Sequence, residues 1–373
     1  MTTAWIDGQP VSTGEAVREA AKLLSSSRFP LVWGSFDDAS ALREGTRLAS
    51  LAGGVIDHRD LPTIVPLVEA LRDNGMIRVS PGEARRRADR VLVLGSDPFE
   101  SRTELFEQIF SVRPDLGPAK ENAREIVLLG PASASAGAFA SAAGEVRSIA
   151  CPDGEIGDAV AILKAALAGR PFHDGPFEEG GARALAGWLK DAAFAVIVFD
   201  AARLDAIAIE VVAGLVSDLN TDTRASALPL APGGAMGAAE AALWTSGFPL
   251  RTGFGRIDPD HDLVLNAADR LLSSGEADAR LALCLGDARL GDHDVPTVLL
   301  TGGEGVEADR ARIVFSVGQP GIDHGTVVHE ARFGSFVSRP AERSSMLPNA
   351  ADILSAIADE VGARVSSNDE ARR

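Results

Sequence analysis

Asp89-Arg-Val-Leu-Val-Leu-Gly-Ser-Asp-Pro98 holds an unbroken apolar run, Val91 to Leu94, that stops at a glycine and a Ser-Asp-Pro turn. A run that does not alternate suits a strand buried on both faces. The same design recurs in Phe29-Pro-Leu-Val-Trp-Gly34, Glu125-Ile-Val-Leu-Leu-Gly130, Ala195 to Asp200, Leu281 to Gly286, Pro296 to Thr301 and Ile313 to Gly318. Amphipathic stretches lie between such runs. Ala39 to Leu51 sets Leu42, Leu48 and Leu51 near one helical face, and Gly157 to Leu167 carries Val160, Leu163 and Leu167 at helical spacing. Short buried strands alternating with helices predict an α/β protein with doubly wound parallel sheets.

The chain has 373 residues, 46% of them hydrophobic, which is ample for two or three lobes. Its formal net charge of −17 disfavours nucleic acid and anionic membrane surfaces as partners. The run Ala195 to Phe199 is far too short to cross a bilayer, and Met1 to Asp7 lacks the basic and apolar regions of an export signal. The two cysteines, Cys151 and Cys284, fit a reducing cytoplasm and read as small buried hydrophobes. Proline, glycine and charge cluster from Gly169 to Gly181, which marks a domain boundary there. The polar tail 366–373 is expected to fray.

Several segments carry residues suited to chemistry. Gly95-Ser-Asp-Pro98 lies beyond a strand, where α/β sheets bind ligands. Gly95 permits close approach, while Ser96 and Asp97 either meet a ligand or cap a strand-to-helix turn. Gly253-Phe-Gly255 is too little for a dinucleotide fingerprint, and neither a Walker A sequence nor a G-x-S-x-G elbow occurs. Asp323, His324, His329 and Glu330 contain zinc-ligand types, but the five-residue step between the histidines does not match helical ligand spacing. They read as polar loop residues, and no metal site is expected. His58, within Asp57-His-Arg-Asp60, offers acid/base chemistry that nothing nearby compels. Arg85-Arg-Arg87 is either a solvated helix face or a contact for an anionic partner.

Taken in order, these and other segments resemble the B subunit of formylmethanofuran dehydrogenase, a molybdenum or tungsten pterin enzyme with the molybdopterin oxidoreductase fold. The resemblance rests on Ile6-Asp-Gly-Gln-Pro-Val11 with Phe29 to Gly34, and on Asn74-Gly-Met-Ile-Arg-Val-Ser-Pro-Gly-Glu83 with the strand into Gly95-Ser-Asp-Pro98. Arg224 to Leu230, Trp244-Thr-Ser-Gly-Phe-Pro-Leu250 and Met346 to Leu354 complete it. It spans nearly the whole chain and implies two lobes, residues 1–57 with 176–373, and an inserted lobe 58–175.

The departures from that family set the functional expectation. The family's cysteine-rich iron–sulfur segment has no counterpart before Trp5-Ile-Asp-Gly8, and a cluster needs about four thiolates. His58 to Val65, where the family places a cysteine or selenocysteine on the metal, contains neither. The family's W-G-x-N-P has become Leu94-Gly-Ser-Asp-Pro98, which sets a carboxylate, Asp97, where it would oppose an anionic pterin. The chain therefore resembles the degenerate B subunit of a bacterial formyltransferase/hydrolase complex. That resemblance implies a cytoplasmic scaffold with no catalytic residue and no cofactor of its own. Its implied partners are a zinc-dependent amidohydrolase-like subunit, a C-like subunit and a formyltransferase, passing formyl groups between tetrahydromethanopterin and a methanofuran-like carrier. Two alternatives stand beside it. One is an active molybdenum or tungsten subunit. The other is a carrier-binding module reusing the former pterin cleft near Gly95, Ser96, Asp97, Gly233 and Gly234, with Arg78, Arg85, Arg251 and Arg256 meeting an acidic tail.

Overall fold

A computed structural model describes residues 2–100, 102–120, 122–131, 139, 145–255, 258–286, 289–302 and 311–371. In chain order the strands are β1 (Ala4–Ile6), β2 (Gln9–Pro10), β3 (Pro30–Gly34), β4 (Val55–His58), β5 (Arg90–Leu94), β6 (Glu125–Gly130), β7 (Glu145–Ala150) and β8 (Ala195–Asp200). They continue with β9 (Ala225–Leu230), β10 (Thr252–Gly253), β11 (Asp260–His261), β12 (Ala279–Cys284), β13 (Thr297–Gly302), β14 (Ile313–Val317), β15 (Thr326–Glu330) and β16 (Ser335–Arg339). The apolar runs are these strands: β3, β5, β8, β12, β13 and β14 are almost wholly buried.

The chain divides into two compact units. The first comprises Met1–Pro62, Gly233–His329 and Phe336–Arg373. Its nine-stranded sheet runs β11-β10-β4-β3-β12-β13-β14-β1-β2. The strands from β4 to β14 in that order are parallel, and antiparallel strands extend both edges. Helices Thr13–Ser26 and Ala39–Ala52 start at side-chain caps, Ser12 accepting from the Glu15 amide and Asp38 from the Ala41 amide. Helix Ala350–Ala371 packs on both. It continues to Ala371, so the tail expected to fray is helical as far as the described residues reach. The hydroxyls of Ser366 and Ser367 bond back to the carbonyls of Gly362 and Ala363 within it.

The second unit comprises Thr63–Pro232 and Glu330–Ser335. Its five strands, β7-β6-β5-β8-β9, are all parallel. The inserted lobe thus begins near residue 63 and runs to 232, well past the expected limit of 175. The reason is pairing: β8 lies in register on β5 from Arg90 with Ala195 to Leu94 with Phe199, and β9 adds to β8. The Gly169–Gly181 stretch is a loop inside this unit, between packed helices Ile156–Leu167 and Gly181–Lys190. Phe99, Phe106, Phe110 and Phe139 meet edge-on or tilted in its core.

Candidate functional site

In each unit the polar residues gather beyond the carboxyl ends of parallel strands. After β5, Gly95 turns the chain with φ +76° and donates its amide to Leu129. The Ser96 amide then donates to Asp153 Oδ1 (2.7 Å) and its hydroxyl to Oδ2 (2.6 Å). Asp97 Oδ1 accepts from the Phe99 amide, closing an Asx turn, and its buried Oδ2 has no hydrogen-bond partner among the described residues. Helix Thr103–Phe110 starts only later, so Asp97 shapes the turn without capping a helix.

In the first unit the turns after β3 and β4 bring Asp37, Asp57, His58 and Asp60 together with Gly233 and Gly234. His58 is fully buried. Its Nδ1 accepts from the Asp60 amide, which leaves the ring proton on Nε2, 3.4 Å from Asp37 Oδ1. An added Cβ on Gly234 would fall 1.4 Å from Asp37 Oδ1, and one on Gly233 2.3 Å from Asp60 Oδ2. These glycines make room for the chain's own carboxylates at the start of helix Ala235–Ser246. Asp38, missed by sequence reasoning along with Asp37 and Asp153, fixes the neighbouring loop. Its Oδ1 accepts from the Thr326 hydroxyl (2.6 Å) and the Val327 amide (3.1 Å). For Asp37 and Asp38 the hint in the sequence was a pair of aspartates just beyond a strand.

Asp57 is buried against Arg251, whose Nη1 also donates to the Leu263 carbonyl. Burial pushes the Asp57 carboxyl up to about 6, although Arg251 and the amides of Ala268 and His58 pull the other way. Leu250 and Arg251 both adopt positive φ, +71° and +44°. These conformations are held by packing and by bonds to their carbonyls, from His261 to Leu250 and from Asn266 to Arg251.

The four arginines considered for an acidic tail have separate surroundings. Arg78 is exposed, beside its bridge to Ala227, and Arg85 donates to the Gln108 carbonyl. Arg251 is engaged as above, and Arg256 lies outside the described residues. Asp323 accepts from the Gln319 amide and Arg343, His324 Nε2 packs on Gly318, and His329 packs on Gly237. Among the described residues no group of three or more His, Cys, Asp or Glu side chains is arranged to hold a metal ion.

The residues present do not fit the pterin that the dehydrogenase resemblance implies. The turns that would approach an anionic cofactor already hold carboxylates of the chain, from Asp153 in one unit and from Asp37 and Asp60 in the other. Cys151 and Cys284 are buried, one in each unit. Burial, aided by Glu155, Asp153 and Asp158, pushes the Cys151 thiol up to about 11, which makes it a poor thiolate ligand.

No family model matches the chain. It is 32% identical over 368 residues to the Fhc B subunit of the formyltransferase/hydrolase complex of Methylorubrum extorquens, covering 96% of this chain and 98% of that one. It is 33% identical over 96 residues to the B subunit of the tungsten-containing formylmethanofuran dehydrogenase 2 of Methanocaldococcus jannaschii, or 26% of this chain and 22% of that one. A chain in the crystal structure of the Methylorubrum extorquens formyltransferase/hydrolase complex (FhcABCD) with methylofuran superposes with a TM-score of 0.84 at 30% identity. That superposition covers 97% of this chain and 99% of that one. With such similarity along nearly the full length of both, the chain belongs to the family of formyltransferase/hydrolase complex B subunits.

Proposed function

We propose that this chain is the non-catalytic scaffold subunit of a formyltransferase/hydrolase complex. That complex would convert formyl-tetrahydromethanopterin to formate by way of a methanofuran-type carrier, in the cytoplasm. Its partners would be an amidohydrolase-like subunit holding zinc, a C-like subunit and a formyltransferase. The two units would correspond to molybdopterin oxidoreductase lobes that have given up the pterin and the iron–sulfur cluster. The observation that carries this reading is similarity to that B subunit along the whole chain, joined to ligand turns that hold the chain's own aspartates.

A surface feature supports it. Helix Ala235–Ser246 buries only Ala235, Gly237, Ala238, Ala239, Ala241 and Ala242, and turns Leu243 and Trp244 outward, 46% and 70% exposed. Large apolar side chains turned outward together suit a partner, so this face with Leu243 and Trp244 is a candidate contact. No helix among the described residues is long and apolar enough to cross a membrane, which removes lipid spanning by such a helix as the reason for that face.

Affinity purification from the native host, with mass spectrometry and elemental analysis of the same sample, tests the proposal. Co-purified hydrolase and formyltransferase subunits with zinc, and no stoichiometric molybdenum, tungsten or iron, are the expected result. Stoichiometric molybdenum or tungsten with iron would establish the redox alternative instead.

A further inference from the structure

The Gly95–Ser96 turn grips both oxygens of one carboxylate with two adjacent donors, the Ser96 amide and hydroxyl, at 2.7 and 2.6 Å. Short paired contacts of this kind are how charged acceptors are held. The turn is shaped for it. An added Cβ on Gly95 would stand 3.2 Å from Asp153 Oδ1, within the space the carboxylate uses, and φ there is +76°. Behind it, a Cβ on Gly130 would stand 2.3 Å from the Gly95 carbonyl oxygen, so β6 fixes the turn from its far side. The place is the carboxyl end of a central parallel strand, where open α/β sheets bind ligands.

We infer that Gly95–Ser96 is an oxyanion cradle whose resident ligand is the chain's own Asp153, and that a carboxylate or phosphate group is the class of ligand that takes its place when Asp153 is removed. Asp153 reaches the cradle from the 3-10 turn Asp153–Glu155, which leads into helix Ile156–Leu167. A tethered group acts at an effective concentration in the millimolar range or above, so free anions do not displace it. The internal ligand keeps the turn ordered without any cofactor. In the other unit Asp37 and Asp60 fill the space that a Cβ on Gly234 or Gly233 would take. This inference does not depend on the assembly proposed above, since it is tested on the full chain by itself.

Thermal unfolding of wild type, Asp153→Ala, Asp153→Asn and the double variant Asp153→Ala/Ser96→Ala is measured with acetate or inorganic phosphate against chloride at equal ionic strength. Asp153→Ala is expected to lose roughly 3 °C or more, and to regain at least about half of that saturably with acetate or phosphate. Asp153→Asn keeps the cradle filled and should respond to neither anion beyond the chloride control, as should wild type. The double variant should lose the anion response. An unchanged Tm in Asp153→Ala, or a loss that acetate and phosphate restore no better than chloride, overturns the inference. So does an equal response in the double variant. If Asp153→Ala fails to accumulate folded, its refolding yield decides: yield restored by acetate or phosphate supports the cradle, and yield indifferent to them overturns it.

Discussion

The guanidinium Nε of Arg251 lies 3.5 Å from the Asp57 carboxylate, both side chains are almost wholly buried, and Arg251 sits at a positive φ of +44° to reach it. A buried pair is weak evidence for stability, but breaking one leaves an uncompensated charge. Arg251→Ala is therefore expected to destabilise the first unit by about 3–5 kcal/mol in chemical denaturation. Replacing both, as Asp57→Asn with Arg251→Met, should recover much of that loss.

The same carboxylate sets a pH dependence. Its folded value of about 6 lies above the ordinary value of 3.8, so the native state holds a proton that the unfolded chain releases. Its contribution is most favourable below about pH 4, declines as pH rises to about 6, and is flat above that. The full change is roughly 3 kcal/mol. Asp57→Asn should remove this decline from a stability profile between pH 4 and 7; an unaltered profile would show that Asp57 stays charged throughout.

Asp278 works in the opposite sense. Burial opposes its charge, but the Ser27 hydroxyl and the amides of Arg28 and Phe29 outweigh burial and hold its carboxyl down at about 2. This stabilisation is complete above about pH 4 and is lost as pH falls through 2. Asp278→Asn should lower stability at pH 7 by about 2 kcal/mol, and the difference from wild type should vanish near pH 2.

Arg124 is a buried cation bonded, among the described residues, to carbonyls and to no buried acid. Its guanidinium donates to the carbonyls of Ala88, Ile109, Val112 and Arg85, and it lies over the Phe110 ring. Burial, with Arg85 nearby, pushes its value down to about 10. Arg124→Met strands four carbonyls and should destabilise the second unit by about 3 kcal/mol or more. Arg124→Lys, with a point charge and a different reach, should recover only part of it.

Gly34 marks where two parallel strands touch backbone to backbone. An alanine Cβ there would stand 2.2 Å from the Leu283 carbonyl oxygen, at a φ of +148°. Gly34→Ala should cost more than about 3 kcal/mol, because β12 cannot yield without breaking its register. Gly8→Ala, at φ +74° with nothing within 4 Å, should cost only about 1–2 kcal/mol. Equal losses would mean that φ alone, and not the contact with Leu283, decides both.

Trp244 offers a test of the proposed interface. Its ring lies 4.7 Å from Phe336 yet stays 70% exposed. Trp244→Ser should leave the unfolding midpoint of the isolated chain nearly unchanged and reduce recovery of partner subunits by about tenfold or more. Full recovery would remove this helix face from the proposed interface.

The sequence by itself determined the elements. Unalternating runs such as Val91 to Leu94 named the buried strands, glycines such as Gly34 and Gly95 marked their ends, and the ordered segments named the family. These features are local, because apolar period and turn chemistry act within a few residues. Only the tertiary structure decided which strands share a sheet. β8 and β9 joined β5 because neighbouring strands are chosen by packing across long separations, and the Pro-Gly stretch before them became a loop instead of a boundary. It also decided what the polar residues do. Ser96 finds Asp153, and Asp57 finds Arg251, through space alone. A charged side chain carries no local record of its partner, since burial and proximity are fixed only when the chain has folded.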